Sequence, residues 1–267
     1  MSFESEVNFC IDFLKATNLK APVIFSPASL LNSLAMVFVG ADADTANEIA
    51  KIIGKNKNRE EITDYYSVFT NKYNNIKKED NEEHPPPKPK KSKNEKFNSI
   101  DVVAANQLFV SDKNKLLDLF VKEMNEKFKG QFQQLDFTNT SLSVSTINNF
   151  VQEATKGKID KVFTGEELDK RTSLILLNVI YFMANWTTKF QPRHEATFYS
   201  HIPRKADMMT GNFYNLNYIN SKEWHAVGIP YRGAKIFMFI VLPKEKNGLE
   251  KVIQSMDYKM FMKCTKE

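Results

Sequence analysis

The sequence predicts an α+β fold with large sheets. Three observations carry that reading. Helix-period apolar patterns are mixed with strand-like runs through the first part of the chain. One long, almost continuously apolar run spans Ser173 to Met183. The latter half is rich in short β-type runs, and no internal repeat is present.

The elements follow in order. Val7, Phe9, Cys10, Phe13 and Leu14 share one helical face, so Ser5 to Thr17 reads as a helix. Val23 to Phe25 reads as a short strand. Ser26-Pro27 is a helix start, a hydroxyl cap followed by proline at the first helical position. The helix runs on through Leu30, Leu31, Leu34, Ala35, Val37 and Phe38, apolar nearly all round and therefore buried. Asp44-Thr45 opens a further helix with Ile49, Ile52 and Ile53 on its apolar face and Gly54 as its stop. A weaker helix covers Glu60 to Tyr73.

Residues 77–96 hold seven lysines, five acidic residues and four prolines, with no large apolar residue. This composition predicts a disordered surface insertion. Order returns at Ser99. Asp101 to Val110 alternates as a strand, followed by a turn at Ser111-Asp112. Lys115 to Lys129 is an amphipathic helix carrying Leu116, Leu119, Phe120, Met124 and Phe128, closed by Gly130. Gln131 to Phe137 is a strand. Ser143 caps a helix carrying Val144, Ile147, Phe150, Val151 and Ala154 that ends near Gly157. The Ser173 to Met183 strand is apolar enough to be buried on both faces. Short β runs follow around Phe198, Phe213 to Tyr218, Trp224 to Ile229 and Ile236 to Leu242. A last helix runs from Leu249 to Met256.

Composition bounds the function. The 267 residues are 42% hydrophobic and 26% charged, as expected of a soluble globular protein, which excludes wholesale disorder and a disulfide-dense mini-domain. A net charge of +5 from dispersed residues describes a solvated surface rather than a nucleic-acid interface. Cys10 and Cys264 stand near opposite ends; a bridge between them is open but not indicated. They have no histidines nearby to complete a zinc site, so no metal or cofactor is expected. Residues 1–20 lack a basic start and apolar core, and no stretch reaches the ~18 apolar residues of a membrane span, so the expected compartment is the cytosol.

No enzyme emerges. His84, His194, His201 and His225 show no metal spacing, and no Gly-x-Ser-x-Gly elbow is present. Gly228 to Gly233 has the glycine spacing of a phosphate loop but lacks the lysine and hydroxyl, so it reads as a turn between strands. Asn178 stands out as a carboxamide inside an otherwise apolar strand. Burying it demands a hydrogen-bond partner, either as a structural bond or as a polar latch where strands part.

Four blocks in fixed order resemble the serpin family. The run from Ile24 to Ile49 has the Phe-Ser-Pro-x-Ser start and the Gly-Ala-x-x-x-Thr-x-x-Glu-Ile turn. Ile147 to Ile159 ends in Thr-Lys-Gly-Lys-Ile. Leu174 to Trp186, with Phe190 beyond, is similar to the central strand. Ala206 to Met209 and Val227 to Pro243 follow in order. The resemblance runs from about residue 5 to about residue 262, apart from the insertion. It implies a large central sheet, smaller sheets and about eight helices. It also implies a suicide-substrate inhibitor of serine, and sometimes cysteine, proteases. In that mechanism a cleaved reactive-centre loop inserts as a new strand and drags the acyl-enzyme with it. Ser26, Ser29 and Asn178 match the shutter positions, where the central strands separate. Trp186 matches the breach position, where insertion starts.

The chain also departs from the pattern. In the family a long stretch follows the region matching Asp257 to Phe261 and carries the reactive-centre loop, its scissile bond and the shutter histidine. Met183-Ala-Asn185 replaces Lys-Gly-x, and Phe190 to Met208 is several residues short. The expectation is therefore one serpin-like domain over residues 1–267, incomplete at its C-terminal end, with no bait for proteases and inactive as an inhibitor in this form. The alternative is a non-inhibitory binding or scaffold protein, with the lysine-rich insertion offered to an anionic partner. By resemblance an extracellular location also stays open.

Overall fold

The structure is a computed structural model that describes residues 3–19, 21–55, 57–68, 101–192, 194–199 and 202–265. The insertion expected at 77–96 lies outside the described residues. Contacts divide the chain into two units. One contains residues 25–68 and 101–183; the other contains residues 3–24 and 184–265.

In the first unit, helix α2 (Pro27–Gly40) starts where its sequence directs. Ser26 is extended, and its side chain accepts the Ser29 N–H at 3.3 Å. The helix is buried on most sides, with Leu31, Ala35, Met36, Phe38 and Val39 all inside. Its C-terminal carbonyls are collected by one side chain. The Arg59 guanidinium donates to Phe38, Val39 and Ala41 at 3.1, 2.5 and 3.0 Å, above the Phe38 ring.

Helix α3 (Ala43–Ile53) begins earlier than Asp44-Thr45, because the Asp42 carboxylate accepts the Ala43 N–H and takes the cap. Ile53 is buried, whereas Ile52 is 47% exposed. Adjacent helical residues point about 100° apart, so both cannot face the core. Gly54 ends α3 against helix α4 (residues 59–68). A Cβ at Gly54 would stand 2.3 Å from Ile62 Cδ1 and 2.8 Å from the Ala50 carbonyl oxygen. Gly54→Ala should therefore cost about 1–3 kcal/mol through overpacking, read as a lower urea midpoint at unchanged m-value.

The sheet of this unit has three strands: β1 (Asp101–Ser111), β2 (Phe132–Leu135) and β3 (Leu174–Met183), in the order β2-β1-β3. β2 runs parallel to β1. β3 runs antiparallel to it, from Asp101 opposite Met183 to Val110 opposite Leu174. Helix α5 (Asp118–Phe128) is shorter than the Lys115 to Lys129 expected. Met124 and Phe128 are buried, and Leu119 is exposed. It closes through Lys129 and Gly130, both left-handed at φ 55° and 67°. Helix α6 (Thr140–Ala154) is capped by Asn139, whose side chain accepts the Leu142 N–H at 3.2 Å. Ser143 is not the cap; it is buried inside the first turn, and its hydroxyl donates to the Asp136 carbonyl at 2.9 Å. The apolar period becomes visible only at Val144, which is why the start reads late in sequence. Phe109, Leu135, Phe137, Ile147 and Leu168 form the core on the α6 side of the sheet.

β3 corrects one expectation. It is an outer strand, not one buried on both faces. Leu174, Ile180, Phe182 and Met183 are each more than 40% exposed, because among the described residues only β1 pairs with it.

In the second unit, α1 (Phe3–Ala16) packs on α7 (Leu249–Ser255) and α8 (Tyr258–Cys264). Val7 and Ile11, one turn apart, are its buried stripe, and Phe13 faces solvent. Residues 22–26 form no strand, and Ile24 is almost fully exposed. β4 (His194–Phe198) and β5 (Arg204–Met208) form an antiparallel pair, so the shortened stretch before Met208 still makes a two-stranded ribbon. β6 (Asn217–Asn220), β7 (Trp224–Pro230) and β8 (Phe237–Pro243) form a sheet in that order. The Gly228 to Gly233 segment is the end of β7 and its turn, as expected. α8 has no counterpart in the sequence reading; its cap is Asp257, which accepts the Met260 N–H at 2.7 Å. Trp224, Ala226, Val252 and Cys264 form the core here. Cys10 and Cys264 are free thiols, and burial pushes the pKa of each up.

Candidate functional site

The antiparallel register of β1 and β3 sets Asn106 directly opposite Asn178. The two carboxamides bond across the strands: Asn178 Nδ2 donates to Asn106 Oδ1 at 2.5 Å. Helix α2 lies against both strands and brings Ser33, whose hydroxyl donates to the same oxygen at 3.2 Å. Asn106 Oδ1 thus accepts two donors, which fills its two lone-pair directions. Asn106 and Ser33 are buried, and Asn178 is half-buried on the outer strand. The buried face of α2 is unusually polar for a core helix, since Ser29, Asn32 and Ser33 are all inside. A polar seam therefore runs between α2 and the sheet, surrounded by apolar side chains.

Such a seam specifies register and marks a place of weakness. Shifting β3 by one residue would turn Asn178 to the other face and leave Asn106 one donor short. The same bonds are replaceable by other donors or by water, unlike interlocked apolar contacts.

Trp186 sits in the second unit. The segment around it pairs with the end of β7: Trp186 bridges Tyr231, Thr187 N donates to the Pro230 carbonyl at 3.2 Å, and Arg232 N donates to that of Asn185 at 2.7 Å. The indole stacks on Tyr231 with centroids 4.4 Å apart and planes at 12°, and meets Phe190 edge-on at 5.6 Å. Burial raises the Tyr231 phenol above its ordinary pKa. Phe190 in turn meets Phe213 at 5.1 Å.

The serpin family model (serine protease inhibitor) matches residues 4–267. The chain belongs to the serpin family. Among curated serpins it is 25% identical to serpin B13 of Mus musculus over 265 residues, covering 96% of this chain and 67% of that one. It is 27% identical to the leukocyte elastase inhibitor of Xenopus laevis over 249 residues, covering 90% and 61%. The chain thus spans 61–67% of the length of these two relatives. The fold is similar to that of cleaved kallistatin complexed with heparin, with a TM-score of 0.78 at 19% identity, over 97% of this chain and 73% of that one. The α+β architecture, with its several sheets and eight helices among the described residues, is that of a serpin.

Within this serpin, Ser26 and Ser29 are joined by the cap of α2, whereas Asn178 finds its partner in Asn106 among the described residues. The sequence reading did not single out Asn106 or Ser33. A partial signal existed: the Ala-Ala-Asn-Gln-Leu run of β1 carries two adjacent carboxamides, Asn106 and Gln107, which point to opposite faces, and only the register selects Asn106. Among the described residues no group of three or more His, Cys, Asp or Glu side chains gathers as for a metal ion, and no helix is long and apolar enough to cross a membrane. His194 and His225 lie on separate strands; His225 Nδ1 meets the Tyr218 hydroxyl at 2.6 Å. His84 and His201 lie outside the described residues.

Proposed function

We propose that this serpin carries the strand-accepting part of a suicide-substrate inhibitor of serine, and sometimes cysteine, proteases, and that the polypeptide of residues 1–267 does not itself inhibit. The observation that carries the reading is the polar clasp at mid-strand of β3, a strand whose outer edge pairs with no other among the described residues. An edge strand presents unpaired N–H and C=O groups to an incoming strand, and alternate side chains set its register. Asn178, Asn106 and Ser33, with the Ser26–Ser29 cap, form the shutter in this reading, and Trp186 stands at the breach. Leukocyte elastase inhibitor, a relative named for that action, supports protease as the partner class. In the family the bait loop follows the region matching Asp257 to Phe261 at a distance, so residues 1–267 offer a protease no bait.

Two measurements test this. A synthetic extended peptide of alternating threonine and valine should bind the 1–267 polypeptide and raise its thermal midpoint; no shift at saturating peptide would overturn the strand-accepting role. Incubation with trypsin, chymotrypsin or elastase should give no detergent-stable complex on a denaturing gel, and a stable one would overturn the second half of the proposal.

A further inference from the structure

The first unit contains a cavity of about 640 Å³ between α2, α5 and β1. That volume is in the range of small-molecule sites, roughly 300–1,000 Å³. Met36, Val39, Leu108, Val110, Phe120 and Leu174 line it. The first four are among the most buried residues of the chain and form its floor. Leu117 and Leu119, 73% and 67% exposed, form an apolar lip at its mouth.

The polar groups around it are few, and most are engaged. The Asp42 carboxylate holds the Ala43 N–H, and the Arg59 guanidinium is held by three carbonyls at the end of α2. Thr45 adds a hydroxyl. Lys115 is exposed at the wall and enters none of the ion pairs among the described residues. The first turn of α5 begins at Leu117 without a side-chain cap, so its free N–H groups add positive potential beside Lys115. Asp118 in that turn is exposed and is not part of the lining.

We propose that this cavity binds a single-chain anionic amphiphile of the fatty-acid class, its tail on the apolar floor and its carboxylate at Lys115. Among the described residues the one buried side-chain polar atom lacking a partner is Gln131 Oε1, outside the lining, so the floor offers a ligand no free buried side-chain partner. A peptide laid there would leave its own N–H and C=O groups without partners, a penalty that an alkyl chain does not carry. The lining carries two cations, Lys115 and Arg59, against one carboxylate, Asp42, and its net positive charge selects one negative charge, with Lys115 the cation left accessible to it. The site does not rest on the inhibitor reading.

The test is calorimetry of the full chain with dodecanoate below its micelle concentration. One saturable site is expected. Lys115→Glu should weaken it about tenfold or more, the loss matching a charge-assisted hydrogen bond, and Lys115→Arg should retain it. Leu116→Trp, which fills the cavity from its wall, should abolish binding; circular dichroism checks that each variant is folded. 1-Dodecanol should bind more weakly than the acid, by less than the Lys115→Glu loss, because the substitution adds repulsion to the lost attraction. Absence of a saturable site overturns the proposal. So does uptake unchanged by Lys115→Glu, which would place the tail on exposed strand edges. Equal binding of alcohol and acid overturns it as well, since the cavity would then take an uncharged apolar partner.

Discussion

Asn106→Leu should destabilise the sheet-bearing unit by about 3 kcal/mol, although it removes a polar group from a core and adds an apolar one of similar size. The substitution leaves two donors behind. The Ser33 hydroxyl is buried, and Asn178 Nδ2 is half-buried, and both point at the oxygen that is lost. Each stranded donor costs about 1–3 kcal/mol, the larger figure applying to the more buried one. Asn178→Leu should cost less, because it leaves Asn106 Oδ1 still accepting from Ser33. The combined variant Ser33→Ala, Asn106→Leu, Asn178→Leu removes the donors with the acceptor and should recover most of the loss. Equilibrium urea unfolding of the parent, the three single variants including Ser33→Ala, and the triple variant gives the comparison, and the coupling is the departure from additivity. If the shutter reading holds, the triple variant should also bind the threonine–valine peptide differently, since no polar clasp then remains to be exchanged.

Phe109→Ala should cost about 3–5 kcal/mol, the largest single loss expected in the chain. Phe109 is on the opposite face of the same strand, where it is fully buried against Ile147 and meets Phe150 edge-on at 6.1 Å. Truncation removes the ring's burial, its aromatic pairing and the contacts of its neighbours, and β1 is tied by β2 and β3 on both sides, so the site collapses poorly. Urea unfolding should show a lower midpoint, and hydrogen exchange of the β1 and α6 amides should accelerate together. Ile180 is the contrast. It is 44% exposed on the outer strand, so its truncation removes little buried area and should leave the midpoint nearly unchanged.

These two residues also divide what was legible in the sequence from what was not. Phe109 belongs to an alternating run, and its inward direction follows from a two-residue period. Asn106 belongs to the same run, yet its importance depends on a strand 72 residues away. Asn178 stood out because its neighbours are all apolar. Its partner did not, because nothing local tells which amide will lie opposite. The caps show the same split. Ser26-Pro27 was readable because the serine, the proline and the apolar helix follow one another. Asn139 was passed over for Ser143 because the apolar period begins only after the helix has completed a turn.

The sequence by itself determined the α+β class, the start of α2, the position of most strands and, through four ordered blocks, the serpin family. Each of these rests on contiguous residues, where capping and periodicity act between near neighbours along the chain. The tertiary structure alone decided that β3 is an outer strand among the described residues, with exposed apolar side chains, that Asn106 and Ser33 complete the polar seam, and that Gly54 is required by Ile62. Strand order, register and close approach are set by which distant segments pack together. That choice is made by the free energy of the whole core, which no window of the sequence contains.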